Sequence, residues 1–350
     1  MSAVVSSPPS AEPAAYPFID HPSAWTSEAV GGAEGLSRYL SPAQGEAMLR
    51  LADSLAGRPI EAITRADASD PEITALMRAI HFEIMSGKGA VILKGLDISA
   101  MDEEKFARLY WALGTHLGEA AVQSARRDRI GRVERLDDNP AGRGYQADIE
   151  LGGHCDFHEI LSLASYRRAE SGGVSGMVSA LAIHNEMARL RPDLLAVLYK
   201  GFPHVCADID DLTDHDVPIY CDVDGKISCY YHILFLINAA RETGREIPAD
   251  LREALQMLGD LANNREDLKA SFLMDRGEIV FWHNFVNFHS RTSFVNKGEQ
   301  RRLLFRLWLH TRPGEGRPMA PDFVGRARLM DSIHEQGRPA IVYRLDELRK

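Results

Sequence analysis

The stretch GEIVFWHNFVNFHSRTSF, residues 277–294, combines apolar, aromatic and β-branched residues in the manner of successive β-strands. A further strand pattern, RRLLFRLWLH, follows at residues 301–310, and short strands with loops are predicted between about residues 130 and 165. Helical patterns lie between these strand regions, including an insert around residues 233–264. Because strands open and close the C-terminal two-thirds of the chain, the order favours a mixed α+β fold with an antiparallel barrel or sandwich over a regular βαβ alternation.

Local signals mark further elements around these strands. A helix is predicted to start at Pro71 and to end at Gly87, and Ser99 is predicted to cap the helix that follows. Ser179 is expected to cap a third helix, because a serine oxygen can accept the unpaired N–H groups of a first turn. The dipeptide Asp224-Gly225 predicts a tight hairpin between two short strands, since both residues tolerate positive φ.

The N-terminal region differs in composition from the rest of the chain. Residues 1–35 are rich in Ala, Ser, Pro and Gly and show little periodicity, so they are predicted to form a flexible arm. Residues 36–350 are predicted to form a single domain, which is long enough to bury a substantial core.

Composition excludes several classes of protein. The hydrophobic fraction of 45% and the charged fraction of 26% are those of a soluble globular domain. A net charge of -10 argues against nucleic acid as a partner and leaves a local basic pocket for a small anion open. We find no apolar stretch of membrane-spanning length and no secretory signal, so a cytoplasmic location is expected. The four cysteines form no C-x-x-C pair, and nothing in the sequence sets the oligomeric state, which leaves a homo-oligomer open.

The stretch GGHCDFHEI, residues 152–160, concentrates groups that bind metals. In an extended segment His154 and Asp156 point to the same face while Cys155 points away. A third ligand must come from elsewhere, and His289 stands in a strand-like context 135 residues after His154. Two histidines and one carboxylate on one face of the metal are typical of non-haem Fe(II) oxygenases. An H-x-D pair alone is more often a surface or supporting pair, and the nearby His158 is a rival ligand.

Two arginines follow the third candidate ligand. Arg302 and Arg306 lie four residues apart, on one face of the predicted strand. The alternate positions are apolar: Leu303, Phe305, Leu307 and Leu309. An inward-facing arginine is costly unless an anion meets it, and guanidinium suits bidentate binding of a carboxylate such as the far end of 2-oxoglutarate. The alternative is a surface strand with exposed arginines.

Several motifs in order resemble those of one enzyme family. They are His154-Cys155-Asp156, RRAESGGVSGMVS at 167–179, DGKIS at 224–228, GEIVFWHN at 277–284, HSRTSF at 289–294 and RRLLFRLWL at 301–309. From about residue 75 to 312 the chain resembles the taurine dioxygenase and clavaminate synthase-like Fe(II)/2-oxoglutarate oxygenases. It departs from taurine dioxygenase in a longer spacing from His289 to Arg302 and in Cys155, where threonine is commoner.

The resemblance implies a double-stranded β-helix (jelly-roll) core with flanking and inserted helices. It implies that His154, Asp156 and His289 hold Fe(II), and that Ser175 and Arg302 hold the distal carboxylate of 2-oxoglutarate. Arg306 matches a position that meets the anionic group of the substrate. The implied reaction uses O₂ to oxidise a C–H bond, most simply by hydroxylation, while 2-oxoglutarate is decarboxylated to succinate and CO₂.

Residues near these motifs are expected to contact a small, anionic or amino-acid-like substrate. They are Tyr145, Gln146, His158, Tyr230, Tyr231, His232 and Arg306. Glu159 is expected to shape the same side of the pocket. Two other functions stay open: a non-catalytic cupin-like protein that binds a metal or ligand, and a zinc hydrolase that uses the same three ligands.

Overall fold

A computed structural model describes residues 16–138, 144–206, 209–298 and 300–338. Its α-helices are α1 Ser27–Val30, α2 Pro42–Ser54, α3 Pro71–Ser86, α4 Glu103–Gly114, α5 Ala180–Leu190, α6 Pro192–Lys200, α7 Ile233–Thr243, α8 Ala249–Asn264 and α9 Pro321–Glu335. Its strands are β1 Ser37–Tyr39, β2 Ala90–Lys94, β3 Glu119–Ala120, β4 Gly131–Val133, β5 Leu151–His154, β6 Ile160–Arg167, β7 Ser171–Gly172, β8 Ser175–Ser179, β9 Tyr220–Val223, β10 Lys226–Cys229, β11 Lys269–Phe272, β12 Ile279–His283, β13 Asn287–Arg291, β14 Phe294–Val295 and β15 Leu303–His310.

Two sheets face each other across a cavity. The larger has the order β1-β2-β12-β6-β15-β3, with β4 also paired to β15, and the smaller has the order β11-β8-β13-β5. All of their pairings are antiparallel except that of β1 with β2. Residues of both sheets line the same cavity, so the two sheets form the opposite walls of one sandwich. This is the arrangement predicted from the order of strands and helices.

Strands β12 and β15 separate two hydrophobic cores. Along β15, Leu303, Phe305, Leu307 and Leu309 pack with helices α2 to α4 on the outer side of the large sheet. The intervening residues Leu304 and Trp308 belong to the core on the cavity side. Side chains of a strand alternate between faces, so Arg302 and Arg306 are turned inward, and both line the cavity. The alternative of an exposed surface strand is wrong.

Most local signals are confirmed. Helix α3 begins at Pro71 behind the cap Asp70 and ends before Gly87, and Ser179 caps α5 by accepting a hydrogen bond from the N–H of Ala182. Asp224 and Gly225 adopt φ values of 53° and 72° in the turn between β9 and β10. The helical insert consists of α7 and α8.

The cap predicted for α4 is wrong. Asp102, and not Ser99, accepts the hydrogen bond from the N–H of Lys105. Asp102 directly precedes the first helical residue, whereas the N–H of Ser99 is engaged in a local turn with the carboxylate of Asp97.

Within the described residues, no helix is both long and apolar enough to cross a membrane.

The predicted N-terminal arm is packed on the body from residue 16 onward. Trp25 is 4% exposed, and its indole Nε1–H donates to the carbonyl O of Lys88 at 2.9 Å. The amide of Asn185 makes two backbone hydrogen bonds with Ile19, and the Ser179 hydroxyl donates to Ser23 O. The buried indole explains why a segment rich in Ala, Ser, Pro and Gly nevertheless packs on the body. Residues 1–15 lie outside the described residues.

Replacing Trp25 with phenylalanine tests this attachment. We expect the free energy of unfolding to fall by about 1 kcal/mol or more, because one N–H···O bond is lost and the smaller phenyl ring fills less of the buried space. The measurement is urea denaturation of both proteins. As a control, Phe18→Leu alters a side chain that is 75% exposed and should leave the midpoint unchanged. Equal midpoints for wild type and Trp25→Phe would contradict the attachment.

Candidate active site

A cavity of about 380 Å³ lies between the two sheets. Most of the residues selected from the sequence line it: His154, Asp156, His289, Ser175, Arg302, Arg306, Tyr145, Tyr231 and His232. Much of the remaining wall is apolar and includes Leu161, Leu163, Met177, Phe272, Val280 and Trp282. The cavity therefore places a few polar groups in an otherwise apolar space, which is the usual construction of a small-molecule site.

Three predicted metal ligands converge at one point of this cavity. His154 is the last residue of β5 and pairs directly with His289 of β13, so their ring centroids are 4.2 Å apart. Asp156 lies just beyond the strand, with Oδ1 at 3.6 Å from Nε2 of His154. One ligand atom of each residue lies within 4.8 Å of the others. Antiparallel pairing thus joins ligands that are far apart in the sequence.

The donor atoms suit a divalent metal. Nδ1 of His154 lies 2.8 Å from the carbonyl O of Gly152, and since a carbonyl only accepts, Nδ1 carries the proton. In the neutral ring, Nε2 then directs a lone pair toward the carboxylate of Asp156. Metal-binding histidines commonly hold their second N–H on a carbonyl in this way. Two electron-rich atoms at 3.6 Å repel each other unless a cation lies between them, so the residues fit a metal ion.

The protonation states of the other two ligands also fit. Burial favours the protonated form of Asp156, but the groups around it, above all His154 and His289, keep the pKa of its carboxyl well below the usual range. Burial, with the nearby His154, lowers the pKa of the His289 imidazole to about 3. At neutral pH the site therefore contains a carboxylate and a neutral imidazole, the forms that bind metals.

Buried groups hold the Asp156 segment in place. The Asn284 side chain accepts from the N–H of Asp156 and donates to its carbonyl O, both at 2.9 Å. The N–H of Cys155 donates to Tyr231 O at 2.7 Å. Trp308 donates its indole Nε1–H to Oδ2 of Asp156 at 2.8 Å. Hydrogen bonds to the backbone of this segment and to Oδ2 therefore fix the orientation of the Asp156 carboxylate.

Arg302 presents a buried cation to the cavity. It is 5% exposed, and among the described residues its Nη1 has no hydrogen-bond partner and no carboxylate pairs with it. Burial lowers the pKa of its guanidinium to about 9, and the charge of Arg291 acts in the same direction. Gly173 has φ +70°, and a Cβ there would lie 3.1 Å from Nε of Arg302, so glycine leaves room for this side chain. With Ser175 in the same cavity wall, the arrangement suits an incoming carboxylate.

Arg306 lies beside the metal ligands. Its Nη1 is 3.8 Å from Oδ2 of Asp156, and its Nε donates to the side-chain oxygen of Gln123 at 3.0 Å. The guanidinium carbon lies 4.5 Å from the ring centroid of Tyr145 and 4.0 Å from that of Trp308. Aromatic contacts of this kind hold an arginine without neutralising its charge. Arg306 therefore places a guanidinium next to the candidate metal ligands.

Three residues predicted to contact substrate do not line the cavity. His158 is fully buried, with Nε2 at 3.0 Å from Oδ1 of Asp331, and its ring stacks on Trp308. Strand β5 ends at His154 and the chain bends at residues 157–159, so the alternation of faces does not extend from Asp156 to His158. Gln146 and Tyr230 also lie outside the lining of the described residues.

Glu159 is likewise committed to other contacts and does not shape the pocket. Its carboxylate accepts hydrogen bonds from His283 Nε2 at 3.2 Å, from the backbone N–H of Arg317 at 2.7 Å and from the Thr311 hydroxyl. None of these three partners lines the cavity.

Sequence reasoning missed Asn284, Trp308 and Arg291. Arg291 is 7% exposed, lines the cavity and donates through Nη2 to Ala147 O at 2.9 Å and to Ile149 O at 2.7 Å. It thereby fastens the segment that carries Tyr145. The sequence did offer one signal, the alternation of side chains along a strand. Arg291 is two residues from His289 and Trp308 is two residues from Arg306, so each shares a face with a predicted site residue.

Known proteins resemble this chain over much of its length. Residues 53–308 match the family described as "Taurine catabolism dioxygenase TauD, TfdA family". The chain is 25% identical over 252 residues to "FR-33289 synthase" of Streptomyces rubellomurinus (strain ATCC 31215), covering 67% of this chain and 73% of that protein. It is 26% identical over 257 residues to "Taurine hydroxylase-like protein SAT17" of Stachybotrys chartarum (strain CBS 109288 / IBT 7711), covering 68% of this chain and 65% of that protein.

Solved structures show the same fold. An asparagine oxygenase in complex with Fe(II), 2S,3S-3-hydroxyasparagine and succinate has a TM-score of 0.63 at 14% identity, over 80% of this chain and 98% of that chain. The non-heme iron oxygenase OrfP in complex with Fe and alpha-ketoglutaric acid has a TM-score of 0.59 at 16% identity, over 79% of this chain and 94% of that chain. The predicted jelly-roll core is confirmed. Because the family match covers well over half of this chain, the chain belongs to the TauD/TfdA family of Fe(II)- and 2-oxoglutarate-dependent dioxygenases.

Proposed function

We propose that this dioxygenase oxidises a C–H bond, by hydroxylation, of a small molecule that carries an anionic group. The observation that carries the proposal is the presence, in one cavity, of two histidines and a carboxylate together with a buried arginine, Arg302, whose Nη1 has no partner among the described residues. A bound 2-oxoglutarate would supply the missing anion, and its decarboxylation to succinate and CO₂ would accompany oxidation of the substrate.

Each polar group then has a defined task. His154, Asp156 and His289 would hold Fe(II), which supplies the activation of O₂ when it is bound. Arg302 would bind the distal carboxylate of 2-oxoglutarate with help from the Ser175 hydroxyl. The apolar wall around Leu161 and Val280 keeps bulk water from the reacting C–H bond.

The charge of the cavity favours an anionic substrate. Arg302 is assigned to the co-substrate and Arg291 is held by backbone carbonyls, so Arg306 is the cation nearest to the metal ligands. Tyr145 packs on this arginine, and Tyr231 and His232 line the cavity near His154, so these residues would contact the body of the substrate. Relatives in fold include an asparagine oxygenase and an oxygenase in complex with (3S)-hydroxy-L-Arg, which supports an amino-acid-like compound.

The experiment begins without oxygen. Fe(II) and 2-oxoglutarate are added anaerobically, and a weak visible charge-transfer band is expected on formation of the ternary complex. Succinate is then measured in air with taurine, L-asparagine, L-arginine or an alkylphosphonate. Each of these probes carries an anionic group, and at least one should raise succinate release above the substrate-free rate. The absence of both the band and succinate would favour the cupin-like binding protein or the zinc hydrolase.

Replacing Arg306 with glutamine tests the substrate part of the proposal. With a probe that stimulates the wild type, we expect kcat/KM for that probe to fall by about 10-fold or more, since a charge-assisted contact contributes about 1.5–3 kcal/mol. The affinity for 2-oxoglutarate should change little. Arg301→Gln is the matched control, because Arg301 is partly exposed and pairs with Asp137. An unchanged kcat/KM in Arg306→Gln would exclude this role.

A further inference from the structure

The hydrogen bond from Trp308 to Asp156 engages only one of the two carboxylate oxygens. Oδ2 accepts the indole N–H at 2.8 Å, whereas Oδ1 lies 3.6 Å from Nε2 of His154. A fixed donor on one oxygen restricts rotation of the carboxylate, and it leaves Oδ1 as the oxygen closer to Nε2 of His154. Trp308 is 1% exposed, and water does not compete for this bond.

The indole is itself held by its neighbours. The His158 ring lies nearly parallel to it, with centroids 5.1 Å apart, and the Arg306 guanidinium carbon is 4.0 Å from its centroid. The His334 ring of α9 lies parallel at 6.2 Å. The ring therefore sits among flat groups that restrict its rotation.

One carboxylate of helix α9 secures both partners of the bond. Asp331 accepts from His158 Nε2 through Oδ1 at 3.0 Å and from His310 Nε2 through Oδ2 at 2.5 Å. His158 is two residues beyond Asp156, and His310 is two residues beyond Trp308. Asp331 thus fixes the two backbone segments that carry the acceptor and the donor. Each of its oxygens receives one imidazole N–H, so a single carboxylate holds both rings.

We propose that Trp308 is a positioning residue, which orients the Asp156 carboxylate so that it binds the metal through one oxygen. Asp331 supports this role by holding Trp308 in place. The inference rests on the proposed role of His154, Asp156 and His289 as metal ligands. It assigns to the C-terminal helix a part in the metal site, although no residue of α9 lines the cavity in the described residues. Outer partners of this kind orient a ligand before the metal arrives.

The test measures binding of Mn(II) alone, from the loss of the free-ion EPR signal, in proteins without co-substrate. Trp308→Phe removes the N–H and keeps a smaller aromatic ring, and we expect its Mn(II) affinity to fall by about 10- to 100-fold. Trp111→Phe is the matched control: Trp111 donates its indole N–H to Ile63 O at 3.0 Å, outside the cavity lining, so its affinity should equal that of the wild type.

Asp331→Asn tests the second half of the proposal with the indole in place. We expect a smaller loss of Mn(II) affinity, and the double variant should bind Mn(II) no more weakly than Trp308→Phe alone, because both changes act on one bond. Affinity of Trp308→Phe within about 2-fold of wild type would overturn the role of Trp308, and fully additive losses would overturn the link to Asp331. If the wild type itself binds no Mn(II), the proposed function fails, which is a separate outcome.

Discussion

Replacing His154 with alanine is expected to abolish metal-dependent turnover. Three ligands share the binding energy of the ion, and removal of one should cost about 3 kcal/mol or more, which lowers metal affinity by about 100-fold or more. The remaining pair, Asp156 and His289, would also hold the ion in a different geometry. Succinate formation with Fe(II) and 2-oxoglutarate should therefore fall to the level of a protein-free control. The measurements are Mn(II) affinity and succinate release under the same conditions.

A histidine elsewhere in the fold provides the control for this variant. His81 lies in α3 and does not line the cavity, so His81→Ala should retain wild-type metal affinity and succinate release. If His154→Ala binds metal and turns over as well as the wild type, the assignment of the three ligands is wrong. Loss of activity in both variants would instead indicate a general loss of folding.

Replacing Arg302 with methionine is expected to weaken 2-oxoglutarate by about 100-fold or more while metal affinity changes little. Bonds between a guanidinium and a carboxylate are charge-assisted and often bidentate, and each contributes about 1.5–3 kcal/mol. Methionine keeps an apolar stem of similar length and removes only the charged head. The measurement is anaerobic titration of the Fe(II) protein with 2-oxoglutarate, followed at the charge-transfer band.

The same substitution should stabilise the ligand-free protein. A buried cation whose Nη1 has no partner among the described residues costs free energy in the folded state, so Arg302→Met should raise the free energy of unfolding by about 1–3 kcal/mol. Arg301→Met is the control, since it removes an adjacent, partly exposed arginine from a surface ion pair. An unchanged affinity for 2-oxoglutarate in Arg302→Met would exclude the role of this residue.

Much of the fold follows from local patterns. The alternation at residues 303–309 predicts that Arg302 and Arg306 share one face, and the structure turns that face toward the cavity. The cap at Ser179 and the hairpin at Asp224-Gly225 depend on a few adjacent residues, so they too could be predicted. Such features are readable because side-chain periodicity and cap chemistry act within one element.

Local sequence patterns do not predict side-chain positions where the chain leaves regular structure. His158 was expected in the pocket, but the bend after β5 turns its ring behind Trp308. The packing of residues 16–35 is not predicted for a related reason: a segment without periodicity gives no signal of the contacts that bury Trp25. In both cases the deciding contacts are with residues far away in the chain.

The sequence by itself determined the helix and strand character of the main elements, the shared face of the two arginines and the identity of candidate ligands, because these depend on spacing along a single strand or turn. Only the tertiary structure decided that His289 lies directly opposite His154, that Asn284 and Trp308 orient Asp156, and that Asp331 supports them from the C-terminal helix. The physical reason is that these arrangements depend on strand register and on packing between distant segments, which no local pattern encodes.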